Sequence, residues 1–230
     1  MLRYEKRTKE HPLKLAGAKN FTVKEETIDD ALLAAELLRK TQGIDPKRVF
    51  IIGHSQGAMM APRMALADQK LAGIAMLAAP SRPLEIVMFE QTENALKKRD
   101  QLADAEIKLL EALNSIAKLI KDGQLKPDTP PTKLFGLTPA YWQSLCGPGI
   151  VTDAQKLQLP IIILQGEADD QVTMTDFAGW QKEMAGRKNV TLKSYPGLIH
   201  TFTPNANPEV TSHVLRAVVE DLAAWITARP

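Results

Sequence analysis

Three short segments of the chain carry side chains that together could perform nucleophilic catalysis. The first is GHSQG at residues 53–57, in which Ser55 stands between two glycines. An apolar run, Val49–Ile52, precedes it and a helical stretch follows, so a strand, a sharp turn and a helix are predicted in the order this motif requires. Ser55 is the candidate nucleophile, because such a turn presents its hydroxyl beside a helix N-terminus that favours negative charge. The alternative is an ordinary glycine-rich turn.

A serine hydroxyl needs a base, and the chain has four histidines. His200 lies in YPGLIHTF, a loop between a predicted strand and the final helix, where the base of such an arrangement is expected. We expect His54 to pack beside the turn, and His11 and His213 to lie at the surface. His200 is therefore the candidate base.

A carboxylate would hold the histidine in the right tautomer and stabilise its imidazolium form. With a serine in a strand-turn-helix motif, the order along the chain is serine, acid, histidine. LQGEADDQV offers Glu167, Asp169 and Asp170 after an apolar strand. Asp169, three residues after Gly166, is the first choice. Asp170 is the runner-up, because spacing cannot separate adjacent carboxylates, and a solvated acidic loop is the alternative for both.

The segments that must position these residues alternate between strand and helix patterns. Apolar runs predict strands at Val49–Ile52, Ile74–Ala79, Ile161–Leu164 and Val190–Tyr195. Helices are predicted after a capping arrangement at Thr27–Asp30 (with Leu33, Leu37 and Leu38 at helical spacing), after the serine motif, at Thr173–Ala185 and at Val214–Ile226. Apolar strands separated by helices indicate a parallel sheet that is covered on both faces.

Between Leu84 and Thr138 the chain is charged and helical instead. Its longest helical run has an apolar stripe formed by Ile107, Leu110, Leu113, Ala117 and Ile120. We therefore predict an α/β core, residues 1–83 and 151–230, with a helical insertion at residues 84–150.

Composition narrows the function classes. The net charge is +2 with scattered basic residues, which argues against a nucleic-acid partner. No apolar run reaches the roughly 20 residues of a membrane span. The single cysteine, Cys146, has no histidine near it in sequence and is expected to be a packed or idle thiol. One cysteine fits a reducing compartment, so we expect a cytoplasmic location unless an N-terminal targeting signal has been lost. No metal-ligand spacing or phosphate loop is present in the sequence, so we expect no cofactor.

The segments VFIIGHSQGAMMAPRMA, IIILQGEADDQVT and YPGLIHTF, in this order, resemble α/β-hydrolases of the bacterial carboxylesterase and dienelactone-hydrolase-like group. The resemblance implies an α/β-hydrolase fold with a mostly parallel sheet and a helical cap at the insertion. It implies Ser55 as nucleophile, His200 as general base and acid, and Asp169 as the residue that orients His200. It also implies hydrolysis of carboxylic esters, with the N–H of Gln56 as one donor of the oxyanion hole.

The first residues, LRYEKRT, resemble the end of the fourth strand of that fold. Its first three strands and first helix have no counterpart upstream, so we expect an N-terminally truncated α/β-hydrolase that lacks the loop with the second oxyanion donor. An incomplete sheet exposes a strand edge, which tends to be covered by another chain. We therefore expect a homo-oligomer.

The predicted function is that of a serine carboxylesterase, with a small-molecule ester of short or medium acyl chain as its substrate. Apolar residues of the insertion could line the acyl pocket or equally form the insertion's own core: Met88, Phe89, Phe135, Tyr141 and Trp142. Two other functions use the same residues. One is a truncated, weakly active or inactive remnant that acts as a binding protein, and the other is a serine peptidase.

Overall fold

The structure, a computed structural model, describes residues 1–15, 21–97, 99–147, 149–204 and 213–229. Apart from Met1 and Leu2, the chain groups into two compact units. The first unit comprises Arg3–Asp29 and Arg82–Pro148, and the second comprises Asp30–Ser81 and Gly149–Pro230. Residues 3–29, which the sequence assigns to the core, thus lie in the unit that contains the predicted insertion.

The chain alternates between helices and strands, with a π-helical turn at Lys24–Ile28 and 3₁₀ turns at Arg99–Gln101 and Pro131–Lys133. The elements follow in this order: α1 (Arg7–Glu10), α2 (Pro12–Leu15), α3 (Asp29–Lys40), β1 (Phe50–His54), α4 (Gln56–Ala67), β2 (Gly73–Leu77), α5 (Leu84–Leu96), α6 (Asp104–Lys121), α7 (Pro139–Leu145), α8 (Ile150–Lys156), β3 (Ile161–Gly166), α9 (Met174–Glu183), β4 (Val190–Tyr195) and α10 (Arg216–Thr227).

A parallel sheet of four strands in the order β1-β2-β3-β4 forms the centre of the second unit. All four predicted strands are present, and their bounds differ from the predicted ones by no more than two residues. Since the strands are parallel, their carboxyl ends lie at one edge of the sheet, and Ser55, Asp169 and His200 all follow such ends. The three residues thus come after strand ends that lie at the same edge of the sheet.

Helices cover the sheet. Trp225 of α10 packs with Ala75, Ile162 and Leu164 of the sheet in one buried cluster. Helix α4 packs on β1 and β2 and also on α8. Pro62 lies inside α4, which runs through it without interruption.

The interpretation of Leu2–Tyr4 as the end of a strand is wrong. These residues are irregular, and no strand precedes β1 in residues 1–15 and 21–49, the described part of this region. The charged run that follows forms α1, with hydrogen bonds from Glu10 N to Lys6 O (3.0 Å) and from His11 N to Arg7 O (2.8 Å). Local helical bonds therefore satisfy a backbone that has no neighbouring strand to pair with.

The predicted helix start at Thr27 is also wrong. Helical backbone begins earlier, at Val23, and the π-helical turn Lys24–Ile28 runs directly into α3. Thr22 forms the capping contact instead: its N–H and its hydroxyl both donate to Glu25 Oε2, at 2.9 and 2.6 Å. The pattern of a threonine with a glutamate three residues later could have identified this start from sequence.

Helix α3 buries its alanines rather than its leucines. Ala31 and Ala35 are buried, whereas Leu33 and Leu37 are 64% and 57% exposed. The leucine spacing therefore predicted the helix correctly but not the face that packs.

In the first unit, α5 and α6 pack against each other, and the Thr92 hydroxyl donates to Asn114 Oδ1 at 3.0 Å between them. Ile116 and Ala117 of α6 are buried, and the predicted apolar stripe lies on this side of the helix. In the parts of the chain that the structure describes, no helix has the length and apolar character needed to cross a membrane.

Candidate active site

Ser55 occupies the turn between β1 and α4 with a positive φ of 54° and a ψ of −116°. Such a conformation costs a residue with a side chain about 1–3 kcal/mol, and surrounding structure must impose it. Here the Ser55 N–H donates to Leu77 O at 2.9 Å, and Ser55 O accepts from Met59 N at 3.0 Å. Strand β2 and helix α4 thus hold the turn from both sides, and Gln56 begins α4 directly beside the serine.

Only the first glycine of the motif is sterically required. A Cβ atom on Gly53 would lie 2.3 Å from Gly57 O, closer than real contacts allow. A Cβ atom on Gly57 would meet nothing within 4 Å, and Gly57 is not among the glycines with positive φ. The sharp turn therefore depends on Gly53, and the sequence motif overstated the need for Gly57.

Asp169 follows β3, and its side chain is 0% exposed. Its carboxylate accepts four hydrogen bonds: Oδ1 from Gln171 N (2.8 Å) and Val172 N (2.9 Å), and Oδ2 from His200 Nδ1 (2.8 Å) and Gln165 Nε2 (3.1 Å). Burial alone would raise the pKa of Asp169, but the hydrogen bonds from His200 and the two N–H groups outweigh it and lower the pKa. Asp169 is therefore an ionised, fully bonded carboxylate at neutral pH.

A close approach of two chain segments brings Asp169 to His200. A Cβ atom on Gly166 would lie 2.4 Å from Leu198 O, so only glycine fits there. Directly afterwards, Ala168 N donates to Leu198 O at 2.9 Å, which joins the loop after β3 to the loop after β4. The glycine at the end of β3 thus permits the contact between acid and base.

His200 is buried, and its Nδ1 faces the carboxylate of Asp169. Because an ionised carboxylate only accepts hydrogen bonds, Nδ1 carries the proton and Nε2 presents a lone pair. This is the tautomer that a base needs to take a proton from a serine. The loop is closed by Ile199 N donating to Thr203 O at 3.0 Å, and Phe202 has a positive φ of 59°.

The other candidate acids and histidines lie elsewhere, apart from His54. Asp170 is exposed, and Glu167 is exposed and accepts from the Ser194 hydroxyl at 2.7 Å. His11 and His213 are exposed as expected. His54 lies against His200, with the two ring centroids 4.7 Å apart.

Two features of this site were not predicted from the sequence. One is the contact of His54 with the loop that carries His200, for which the sequence has no signal. The other is Gln165, which is 1% exposed and donates from Nε2 to Asp169 Oδ2 and to Val172 O (2.7 Å). A glutamine at the end of an otherwise apolar buried strand was the available signal, because buried amides need partners.

The predicted pocket residues belong to the first unit. Tyr141 and Trp142 are each 5% exposed and are bonded within that unit: the Tyr141 hydroxyl to Glu26 Oε2 (2.5 Å) and Trp142 Nε1 to Leu134 O (3.2 Å). Met88 and Phe89 are half-buried, and Phe135 is 45% exposed. Packing and hydrogen bonds within the first unit therefore account for the burial of Tyr141 and Trp142.

Comparison with known proteins gives one family and several relatives. The model of the family described as "Serine aminopeptidase, S33" matches residues 19–206. The esterase EstD of Thermotoga maritima is 34% identical over 232 residues, which cover 98% of this chain and 53% of EstD. The chain thus spans about half the length of this curated relative.

Solved structures share the fold. The esterase Pf2001 of Pyrococcus furiosus superposes with a TM-score of 0.53 at 15% identity, covering 90% of this chain and 62% of that protein. Rv0554 from Mycobacterium tuberculosis gives a TM-score of 0.53 at 16% identity, covering 92% and 74% of the two chains. At these identities the likeness concerns the fold alone, which is that of the α/β-hydrolases.

Proposed function

Because the chain belongs to the family described as serine aminopeptidase, S33, and has the α/β-hydrolase fold, we propose that it is a serine carboxylesterase. Ser55 is its nucleophile, His200 its base and Asp169 the residue that orients the base. The observation that supports this most directly is the hydrogen bond of 2.8 Å between His200 Nδ1 and the buried Asp169 carboxylate, at the sheet edge where β1 leads into the strained turn of Ser55.

The proposed reaction follows from the protonation states. His200 Nε2 takes the proton of Ser55 Oγ as this oxygen attacks the ester carbonyl, and Asp169 stabilises the resulting imidazolium. His200 then gives the proton to the departing alcohol, which leaves an acyl group on Ser55. A water molecule activated by His200 hydrolyses the acyl-enzyme. The Gln56 N–H, at the N-terminus of α4, is the proposed donor to the oxyanion.

An ester is the first choice of substrate because EstD, the relative with 34% identity over nearly the whole chain, is an esterase. Within that class we propose acyl chains of short or medium length. A peptidase is the second candidate, since the matched family is described as an aminopeptidase.

The test is hydrolysis of p-nitrophenyl acetate, butyrate and laurate by the purified chain, beside an amino-acid p-nitroanilide. We expect ester hydrolysis that Ser55→Ala reduces by at least about 10⁴-fold. The matched control is Ser115→Ala, which removes an exposed serine whose hydroxyl donates to Glu111 O on α6. Faster cleavage of the anilide than of every ester would favour the peptidase. No turnover and no fluorophosphonate labelling at Ser55 would favour a non-catalytic binding protein.

We also propose that a second copy of this chain covers the open side of the sheet. No strand in the described residues pairs with β1 on the side away from β2, and Ile52 of this strand is 43% exposed. Strand β1 carries no lysine, arginine or carboxylate, whereas the other edge strand, β4, exposes Lys193. Charged side chains protect an edge from pairing, so β1 is the edge that suits another strand. Two β1 edges would pair antiparallel about a twofold axis.

Light scattering tests this proposal. We expect a mass twice that of one chain for the wild type and for Thr191→Lys, a control on the β4 edge. Ile52→Lys should give the mass of a single chain. A monodisperse single chain for the wild type at every concentration would contradict the proposal.

A further inference from the structure

The side chain of His54 contacts the loop that carries His200. Its Nε2 lies 2.9 Å from the main-chain O of His200. The two imidazole centroids are 4.7 Å apart, and the His54 ring meets the ring of Phe202 edge-on with centroids 6.3 Å apart. The residue next to the nucleophile is therefore in direct contact with the base.

The chemistry of the two atoms fixes the direction of this hydrogen bond. A carbonyl oxygen only accepts, so His54 Nε2 carries a proton and donates it. The same reasoning places the proton of His200 on Nδ1, toward Asp169. His200 is thus held at two points, by Asp169 through its side chain and by His54 through its main chain.

We propose that His54 is a positioning residue, whose Nε2–H fixes the distance between His200 and Ser55. The reason is connectivity: His54 and Ser55 are consecutive, so a bond from His54 to the His200 backbone ties the base loop to the turn that holds the nucleophile. Orientation of this kind has a large effect on rate, since a displacement of about 1 Å can cost about 10²-fold. This inference rests on the proposed function of Ser55 and His200.

The charge state of His54 fits this role. His54 as a whole residue is exposed, but desolvation of the part of its ring that packs on the loop lowers its pKa, although the bond to His200 O and the carboxylate of Asp169 act in the opposite direction. The ring is therefore neutral at neutral pH. A neutral ring does not oppose the positive charge that forms on His200 during the reaction.

Three substitutions separate the hydrogen bond from the packing of the ring. His54→Gln retains an N–H donor at about the position of Nε2, whereas His54→Leu is similar in size and has no donor. His54→Phe keeps the ring contacts but also has no donor. His213→Phe, which changes an exposed histidine, is the control. Thermal unfolding of each variant shows whether it is folded.

With p-nitrophenyl butyrate we expect His54→Leu and His54→Phe to lower kcat about 10-fold, with KM within about twofold of the wild type, because one orienting hydrogen bond is lost. His54→Gln should restore kcat to within about threefold of the wild type. The rate of fluorophosphonate labelling at Ser55 should fall in the same order. Loss of packing alone would not be rescued by glutamine.

Equal kcat in His54→Leu and the wild type would overturn the inference while Ser55→Ala still abolishes hydrolysis. Equal losses of kcat in His54→Gln and His54→Leu would also overturn it, because the donor would then be irrelevant. A wild type whose hydrolysis does not depend on Ser55 would overturn the proposed function, and this inference with it.

Discussion

Strands β1 and β3 are both apolar runs that end in a residue of the candidate site, yet they lie in different surroundings. Strand β3 is central, between β2 and β4, and all six of its residues are buried. Strand β1 is an edge strand, in which only Gly53 is buried and Ile52 and His54 are exposed. The proposed acid thus follows the best-protected strand, and the proposed nucleophile follows the least protected one.

This difference matches what the two groups need. A carboxylate that must stay ionised while it is buried requires a rigid set of donors, and Asp169 has four. A nucleophile requires access to substrate, and Ser55 is half-buried at the end of an edge strand. The central strand provides a rigid environment, and the edge strand leaves the serine accessible. The comparison can be tested by changing each strand in turn.

The largest effect is expected at the end of β3. Asp169→Asn should lower kcat by about 10³–10⁴-fold, because an amide can donate to His200 and so favours the wrong tautomer. Asp170→Asn, a matched change at the exposed neighbouring position, should alter kcat less than about twofold. Steady-state hydrolysis of p-nitrophenyl butyrate measures both. A comparable loss in Asp170→Asn would show that the wrong carboxylate has been assigned.

The next effect is on stability. Ile163→Ala in β3 should lower the free energy of unfolding by about 3–4 kcal/mol, since Ile163 is 0% exposed and its removal leaves a cavity. Ile52→Ala in β1 should cost less than about 1 kcal/mol at protein concentrations low enough for the single chain to predominate, because Ile52 is 43% exposed in the single chain. Urea denaturation of both variants at such a concentration measures the difference. Similar losses in the two variants would show that β1 is as well protected within the single chain as β3.

The smallest effect concerns pH. The pKa of His54 is lowered from the ordinary value of 6.5, so the unfolded chain takes up a proton first as the pH falls through that value. The free energy of unfolding should therefore decrease between about pH 7.5 and about pH 5.5, and it should decrease less in His54→Gln. Urea denaturation at the two pH values measures this. An equal decrease of the free energy of unfolding in the wild type and in His54→Gln would exclude His54 as the cause.

Asp169 should respond over a lower pH range than His54. Its pKa is lowered in the folded state, so its contribution to stability is complete above its ordinary value of 3.8 and is lost as the pH falls through the folded pKa. The comparison of wild type with Asp169→Asn below about pH 4 isolates this contribution. As the pH falls, His54 at the end of the edge strand should therefore lower the free energy of unfolding before Asp169 does.

Local signals in the sequence predict much of this protein. Apolar runs give all four strands to within two residues, because strand burial depends on the residues of the strand itself. The serine motif predicts a strand, a turn and a helix, and the need for Gly53 follows from the sharpness of that turn. The order of Ser55, Asp169 and His200 along the chain is also a property of the sequence alone.

Contacts between distant residues required the tertiary structure. Asp169 rather than Asp170 meets His200 because Gly166 lets its loop approach Leu198, 32 residues later. Helix α3 buries Ala31 and Ala35 and exposes Leu33 and Leu37, and the helical spacing of the apolar residues does not determine which face is buried. The edge position of β1 depends on which strands pair. The sequence therefore determines the helices and strands and the chemical groups that they carry. Packing between distant segments decides which of these groups meet, because the spacing of apolar residues describes one segment and not its neighbours.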